Sequence, residues 1–158
     1  MSTFNLTSRV IAICIVAAAI PHPGNAASSE DACSLLTPAQ VSAALGTSVG
    51  PGTLVSPAFK KTCTWTATTD SAASVTLNLQ SLDQYEGGRK LASYGNSVSA
   101  ISVAGIGDDA YYFGTNKLVS LLVKKGNVAF KLAVYAHLPI EKQQFTERIL
   151  ALQVISQL

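Results

Sequence analysis

Residues 61–68 read Lys61-Thr62-Cys63-Thr64-Trp65-Thr66-Ala67-Thr68, a strict alternation. Cys63, Trp65 and Ala67 share one face and Thr62, Thr64 and Thr66 the other, because successive strand side chains point to opposite sides. The pattern predicts a half-buried strand with β-branched residues turned outward. Past the turn Thr69-Asp70-Ser71, Val75, Leu77 and Leu79 alternate with Thr76, Asn78 and Gln80, so the two segments read as an antiparallel hairpin.

Downstream, Lys117–Lys124 and Val128–Tyr135 are two further strands, and Gly126-Asn127 between them suits a tight hairpin turn. Ala110–Phe113 is a candidate strand, and Val98–Val103 a short apolar segment. Asp83–Tyr94 reads as a helix, with Asp83 as cap and Glu86 three residues on. Gly87 and Gly88 weaken it by about 1 kcal/mol each relative to Ala.

The chain closes with Ile140–Leu158, where Phe145, Ile149, Leu152 and Ile155 recur at helical spacing and Leu150, Val154 and Leu158 widen the stripe. Glu141, Lys142, Gln144, Glu147 and Arg148 fall largely outside it, which predicts an amphipathic helix with that stripe packed on a sheet. Membrane association is the other use of such a helix, and two basic residues speak against it here.

Upstream, Thr37 is an N-cap, Pro38 suits the first helical position and Gln40 completes a capping box. Val41, Ala44 and Leu45 give that helix an apolar face, and Gly46 ends it. Gly50, Pro51, Gly52 and Pro57 make residues 47–60 a loop or irregular edge. The whole predicts a single α+β domain over 37–158, with an antiparallel sheet of about five strands, an N-terminal helix and a C-terminal amphipathic helix.

At 158 residues, 48% hydrophobic and 13% charged, the chain has the composition of one globular domain rather than a disordered one. Its formal charge of +2 is too small to predict nucleic-acid binding. Residues 1–26 read as a secretory signal: Arg9 supplies the positive region, Val10–Ile20 the apolar core, and Gly24-Asn25-Ala26 the cleavage site. Cys14 sits mid-core behind Ile13, which is no lipobox. Residues 27–36 form a polar leader carrying Cys33. The expected product is exported to the periplasm or beyond, soluble after cleavage, with no transmembrane segment.

Two cysteines remain, Cys33 and Cys63, in an oxidising compartment, and they allow one intramolecular pairing. The absence of a C-x-x-C spacing speaks against redox catalysis, and two cysteines with one histidine do not complete a structural zinc site. No cofactor and no metal are implied.

Gly105-Ile106-Gly107-Asp108-Asp109-Ala110 matches G-x-G-x-x-A, but Tyr111-Tyr112-Phe113 follows where a dinucleotide fold needs a helix. The simpler reading is a glycine turn before a strand, with Asp108 or Asp109 bonding loop amides. His137 is the one histidine after the signal; with Asp108 or Asp109 as orienter it is the basis of a hydrolase alternative, but no G-x-S-x-G elbow accompanies it. Asp83 and Glu86 lie three apart and read as a solvated cap. Trp65 reads as core beside Cys63. Lys60-Lys61, Arg89-Lys90 and Lys124-Lys125 are the visible basic pairs. Asp108, Asp109, Tyr112, Lys124 and Lys125 are the candidate interaction residues, Tyr112 because alternation turns it away from Tyr111 and Phe113.

Cys33-Ser34-Leu35-Leu36-Thr37 before a helix ending in Gly46, then Cys63-Thr64-Trp65, then Gly105-Ile106-Gly107-Asp108-Asp109-Ala110-Tyr111, resembles a family of small exported bacterial proteins and lipoproteins, domain of unknown function 3558. The likeness spans roughly residues 31–155. It implies a compact α+β domain similar to the PsbP-like fold and the Cys33–Cys63 bridge, and it carries over no catalytic residues. The functional expectation is a non-catalytic binding or interaction module of the cell envelope, whose partner is an envelope protein or a small ligand. The alternatives are a carrier of a small apolar ligand or lipid, and a hydrolase using His137.

Overall fold

The structure, a computed structural model, describes residues 31–94, 98–115 and 118–158. The segment expected to be a signal, with its expected cleavage site, and Lys117 lie outside the described residues. A 3₁₀ turn, Ala32–Ser34, precedes helix α1, Pro38–Leu45. Strands β1 (Thr53–Ser56), β2 (Phe59–Thr66) and β3 (Ser74–Gln80) follow, then helix α2 (Leu82–Tyr94). Strands β4 (Ser99–Ser102), β5 (Asp109–Gly114), β6 (Val119–Lys125) and β7 (Val128–Tyr135) lead to helix α3 (Ile140–Ile155).

The fold is α+β, with one antiparallel sheet of seven strands in the order β1-β2-β3-β7-β6-β5-β4. The expectation of about five strands is corrected by the two edges. β1 and β4 have four residues each and neither buries a single one, so neither carries the apolar face that marks a half-buried strand. β1 also slips register between Leu54 and Ser56.

The central hairpins form as the pattern predicts. Cys63 pairs with Leu77 and Trp65 with Val75, and all four are fully buried. On the outer face the Oγ1 atoms of Thr64 and Thr76 lie 3.0 Å apart, and Asn78 Nδ2 donates to Thr62 Oγ1 at 2.6 Å. Gly126, at φ 57°, turns β6 into β7. At the other end of the chain, Thr37 and Gln40 exchange both bonds of their capping box, and Gly46 closes α1 at φ 75°. α2 is capped by Ser81 and Gln84 rather than by Asp83: Gln84 N–H donates to Ser81 Oγ, and Ser81 N–H to Gln84 Oε1.

The sheet buries both faces, unequally. The larger core lies between one face and the layer of the 3₁₀ turn, α1 and α3; it holds Trp65, Leu77, Leu121, Phe130, Leu132, Leu150 and Val154. The smaller core lies under α2 and holds Tyr85, Tyr111, Leu122 and Ala129. Cys33 and Cys63 form a disulfide with Cα atoms 5.1 Å apart, tying the 3₁₀ turn to β2. Gly52 makes room for that joint: a Cβ there would come within 2.7 Å of Cys63 Sγ and of the Trp65 indole nitrogen.

α3 faces the sheet with a side that the sequence pattern selects only in part, through Leu150 and Val154. Its buried residues are Gln143, Thr146, Glu147, Leu150, Ala151 and Val154. Phe145 is 65% exposed and Leu152 52%, so the centre of the stripe read from spacing points to solvent, while its widening residues Leu150 and Val154 are fully buried and Ile155 packs against the core. Polar partners waiting on the sheet and on α1 explain the inversion. Val134 N–H on β7 donates to Glu147 Oε1 at 3.2 Å, Gln143 Nε2 donates to the carbonyls of Ala136 and Leu138, and Thr146 Oγ1 donates to Ala44 O. A buried backbone group without a partner costs as much as a lost hydrogen bond. The paired β6–β7 ladder stops at Leu121–Leu132, and Glu147 serves an amide just beyond it.

Candidate functional site

Asp109 and Asp108, adjacent in sequence, do different work. Asp109 Oδ2 accepts from Arg89 Nη2 at 2.7 Å and from the Tyr85 hydroxyl at 2.9 Å. The Arg89 guanidinium lies 4.5 Å over the Tyr111 ring, Tyr111 and Tyr85 meet edge to face at 5.0 Å, and the Tyr111 hydroxyl donates to Tyr85 O at 2.6 Å. Gly88 allows this approach, since a Cβ there would sit 2.6 Å from the Tyr111 hydroxyl oxygen. Burial pushes both phenols above their ordinary range, and the Tyr85 bond keeps Arg89 protonated beyond its own. Every partner is another part of α2, β4 or β5, so the cluster pins α2 to the sheet.

Asp108 sits in the turn after Gly107, and both its oxygens are occupied. Lys125 Nζ donates to Oδ1 at 2.9 Å and Gly126 N–H to Oδ2 at 2.7 Å, which holds its carboxyl below the usual carboxylate range. Gly107 has φ 61° and no room for a Cβ, which would lie 2.5 Å from Lys124 O. The segment from Gly105 to Gly107 therefore turns into β5 and opens no helix, which removes the geometry a pyrophosphate needs.

Tyr112, expected at an exposed face, is only 7% exposed. Alternation does turn it away from Tyr111 and Phe113, but towards α3, where its hydroxyl donates to Gln144 O at 2.9 Å. Burial pushes its hydroxyl up to about 12. Lys124 and Lys125 lie at the end of β6, Lys60 and Lys61 at the start of β2 three strands away, and Arg89 is committed to Asp109. The three basic pairs do not form one site.

His137 follows β7, whose far end meets the Asp108 turn through Lys125 and Val128. Eight residues of strand, roughly 25 Å, separate the two ends. The structure does not bring His137 to Asp108 or Asp109. Instead it brings His137 to Asp70. Both line a cleft of about 240 Å³ formed by Leu45 and Thr47 after α1, Asp70 and Ala73 in the β2–β3 turn, and Ala136, His137 and Leu138 before α3. The floor is apolar. Asp70 Oδ1 accepts from Ala72 N–H at 2.9 Å, which fixes the carboxylate and leaves Oδ2 open. No hydrogen bond joins His137 to Asp70 or to Thr47 among the described residues, so no nucleophile-base-orienter chain is assembled there.

Sequence reading missed Asp70 as a site residue because it sits in a plain Thr-Asp-Ser turn. It missed Glu147 because a helix pattern gives no sign that a strand amide awaits a carboxylate. Among the described residues no group of three or more His, Cys, Asp or Glu is placed to hold a metal ion. Comparison with protein-family models, with curated proteins and with solved structures finds no match to this chain.

Proposed function

We propose that the protein is an exported, non-catalytic binding module of the cell envelope, released from its signal after Ala26, and that it takes a small ligand in the cleft beside His137. The Cys33–Cys63 disulfide is consistent with an oxidising compartment, and the motif likeness supports a place in the domain of unknown function 3558 family with its PsbP-like fold.

The observation that carries the ligand reading is the cleft itself: an apolar floor of Leu45, Ala73, Ala136 and Leu138 with the open oxygen of Asp70, Thr47 and His137 at its rim. Its volume, about 240 Å³, is below the ~300 Å³ at which pockets begin to hold drug-sized molecules. A ligand of a few heavy atoms fits, with an apolar body and a cationic or hydrogen-bond-donating head for Asp70. The space between sheet and α3, where a lipid carrier would hold its cargo, is filled by Leu150, Val154, Phe130 and Leu132.

The test is an NMR titration of the chain from Ala27 onward with isobutylamine as cationic probe and isobutanol as its neutral analogue. Shifts centred on residues 45–47, 70–73 and 136–138, stronger for the amine and lost in Asp70→Asn, are expected. Shifts scattered over the surface, or equal in Asp70→Asn, remove the reading. A hydrolase panel run on wild type and His137→Ala separates the catalytic alternative: turnover that disappears in the variant overturns the non-catalytic assignment.

A further inference from the structure

α3 carries Phe145, Ile149 and Leu152, the centre of its predicted apolar stripe, on the side away from the core. Phe145 and Leu152 are largely exposed and Ile149 is half-buried between them. At about 100° per residue these three fall within roughly 60° of one another around the helix axis. Lys142 lies just beyond Ile149 on one side of the stripe, and Arg148 just beyond Leu152 on the other; both are exposed. Glu141 is the one acid on this surface, in the first turn.

The helix's second acid, Glu147, is turned wholly inside. The outward charges of α3 are thus two positive and one negative, set around an apolar strip. The neighbouring helix α1, Pro-Ala-Gln-Val-Ser-Ala-Ala-Leu, contains no charged residue, and it packs beside α3 in the same layer. The molecule therefore presents one weakly charged helical face whose cations flank apolar side chains.

We propose that this face docks on an anionic lipid bilayer surface, with Phe145, Ile149 and Leu152 entering the headgroup boundary and Lys142 and Arg148 meeting the lipid phosphates. Helices that lie in a membrane interface have this arrangement, because long basic side chains keep their charge in the headgroups while their stems cover apolar surface. No helix among the described residues is long and apolar enough to cross a membrane, so the contact is peripheral. A second copy of the chain is the less suited occupant: a three-residue stripe falls short of the roughly 800 Å² per partner that a standard protein interface buries. Lys142 and Arg148 are too few to hold a membrane by charge alone, but they flank the apolar strip directly and so reinforce its insertion into an anionic surface.

The experiment is vesicle flotation of the chain from Ala27 onward, which lacks the apolar segment 10–20 and retains every described residue. The vesicles are phosphatidylcholine alone, and phosphatidylcholine with phosphatidylglycerol, at low and high salt. Wild type is expected to float with the anionic vesicles at low salt and to fall back at high salt. The double variant Phe145→Gln/Leu152→Gln, altered only at exposed positions, should lose binding at least ~tenfold at unchanged circular dichroism. In Phe145→Trp the new indole emission should shift to the blue on adding anionic vesicles. Binding undiminished in the double variant, or absent from anionic vesicles at low salt, overturns the proposal. A dimer in sedimentation that the double variant dissolves, without flotation, assigns the face to self-association instead.

Discussion

Replacing Glu147 by Gln should make the protein more stable, increasingly so as pH rises from about 5 to about 8. The carboxyl is fully buried, its one bond is the 3.2 Å contact from Val134 N–H, and Oε2 has no partner. Burial pushes its pKa from an ordinary 4.5 up to about 8. The folded value lies above the unfolded one, so the protonated fold holds its full stability below about pH 4.5 and loses it progressively as pH rises from there to about 8, where the folded group ionises too and the loss levels off. About 3.5 pH units at 1.36 kcal/mol each amount to roughly 5 kcal/mol, a large share of a domain's net stability. Gln keeps a carbonyl for Val134 and cannot ionise.

The assay is urea denaturation of wild type and Glu147→Gln between pH 5 and pH 9. Other shifted groups stay silent across that window. The Asp108 carboxyl is held low and is already ionised at pH 5, and the buried phenols of Tyr85, Tyr111 and Tyr112 are all raised and titrate above it. Wild type should lose about 4 kcal/mol across the range, while the variant loses about 1 kcal/mol or less. At pH 5 the two should lie within about 1 kcal/mol of each other. Parallel pH profiles, offset by a constant, would refute the assignment of a buried neutral carboxyl to this position.

Reducing the Cys33–Cys63 bridge, or Cys33→Ser, opens a loop of about 31 residues and should cost about 3–4 kcal/mol, read as a lower urea midpoint in reductant. The adjacent glycines of α2 should respond with opposite signs. Gly87→Ala meets nothing within 4 Å and should stabilise by up to ~1 kcal/mol, while Gly88→Ala drives its Cβ into the Tyr111 hydroxyl and should destabilise. Thermal melts of the two single variants decide this. Gly107→Ala combines positive φ with a clash against Lys124 O and should lower stability by about 2 kcal/mol or more, measured the same way. Arg89→Ala removes a half-exposed ion pair and the cover of the Tyr111 ring; about 1 kcal/mol is expected, with faster hydrogen exchange confined to α2.

Where a residue's fate depends on its neighbours in sequence, the chain is readable. Trp65 and Cys63 alternate with threonines and are buried; Thr37, Pro38 and Gln40 form the cap they spell; Gly126-Asn127 turns the hairpin. The edges are less readable, because a four-residue strand open to water needs no pattern. α3 misleads for a different reason. Helical spacing finds a stripe but not which way it faces, and here the orientation is set by polar contacts to β7 at Val134, to the connection before α3 at Ala136, and to Ala44 on α1, none of which belongs to the helix whose pattern is read. The cleft is unreadable on the same ground. Asp70 and His137 are 67 positions apart, and only the completed sheet sets them side by side.

The seam between β3 and β7 imposes an order of events on a growing or translocating chain. β3 ends at Gln80, and the strand that covers its open edge begins at Val128. Until those later residues arrive, the first hairpin carries an unpaired edge and half a core, so a chain emerging from its N-terminus has no native state to settle into. Cys33 and Cys63, by contrast, are both present long before β7. Oxidation thus has the opportunity to act on a chain that has not yet folded, and the crosslink becomes a guide to assembly as well as a brace on its product. The late, long-range closure also places this sheet among slow folders.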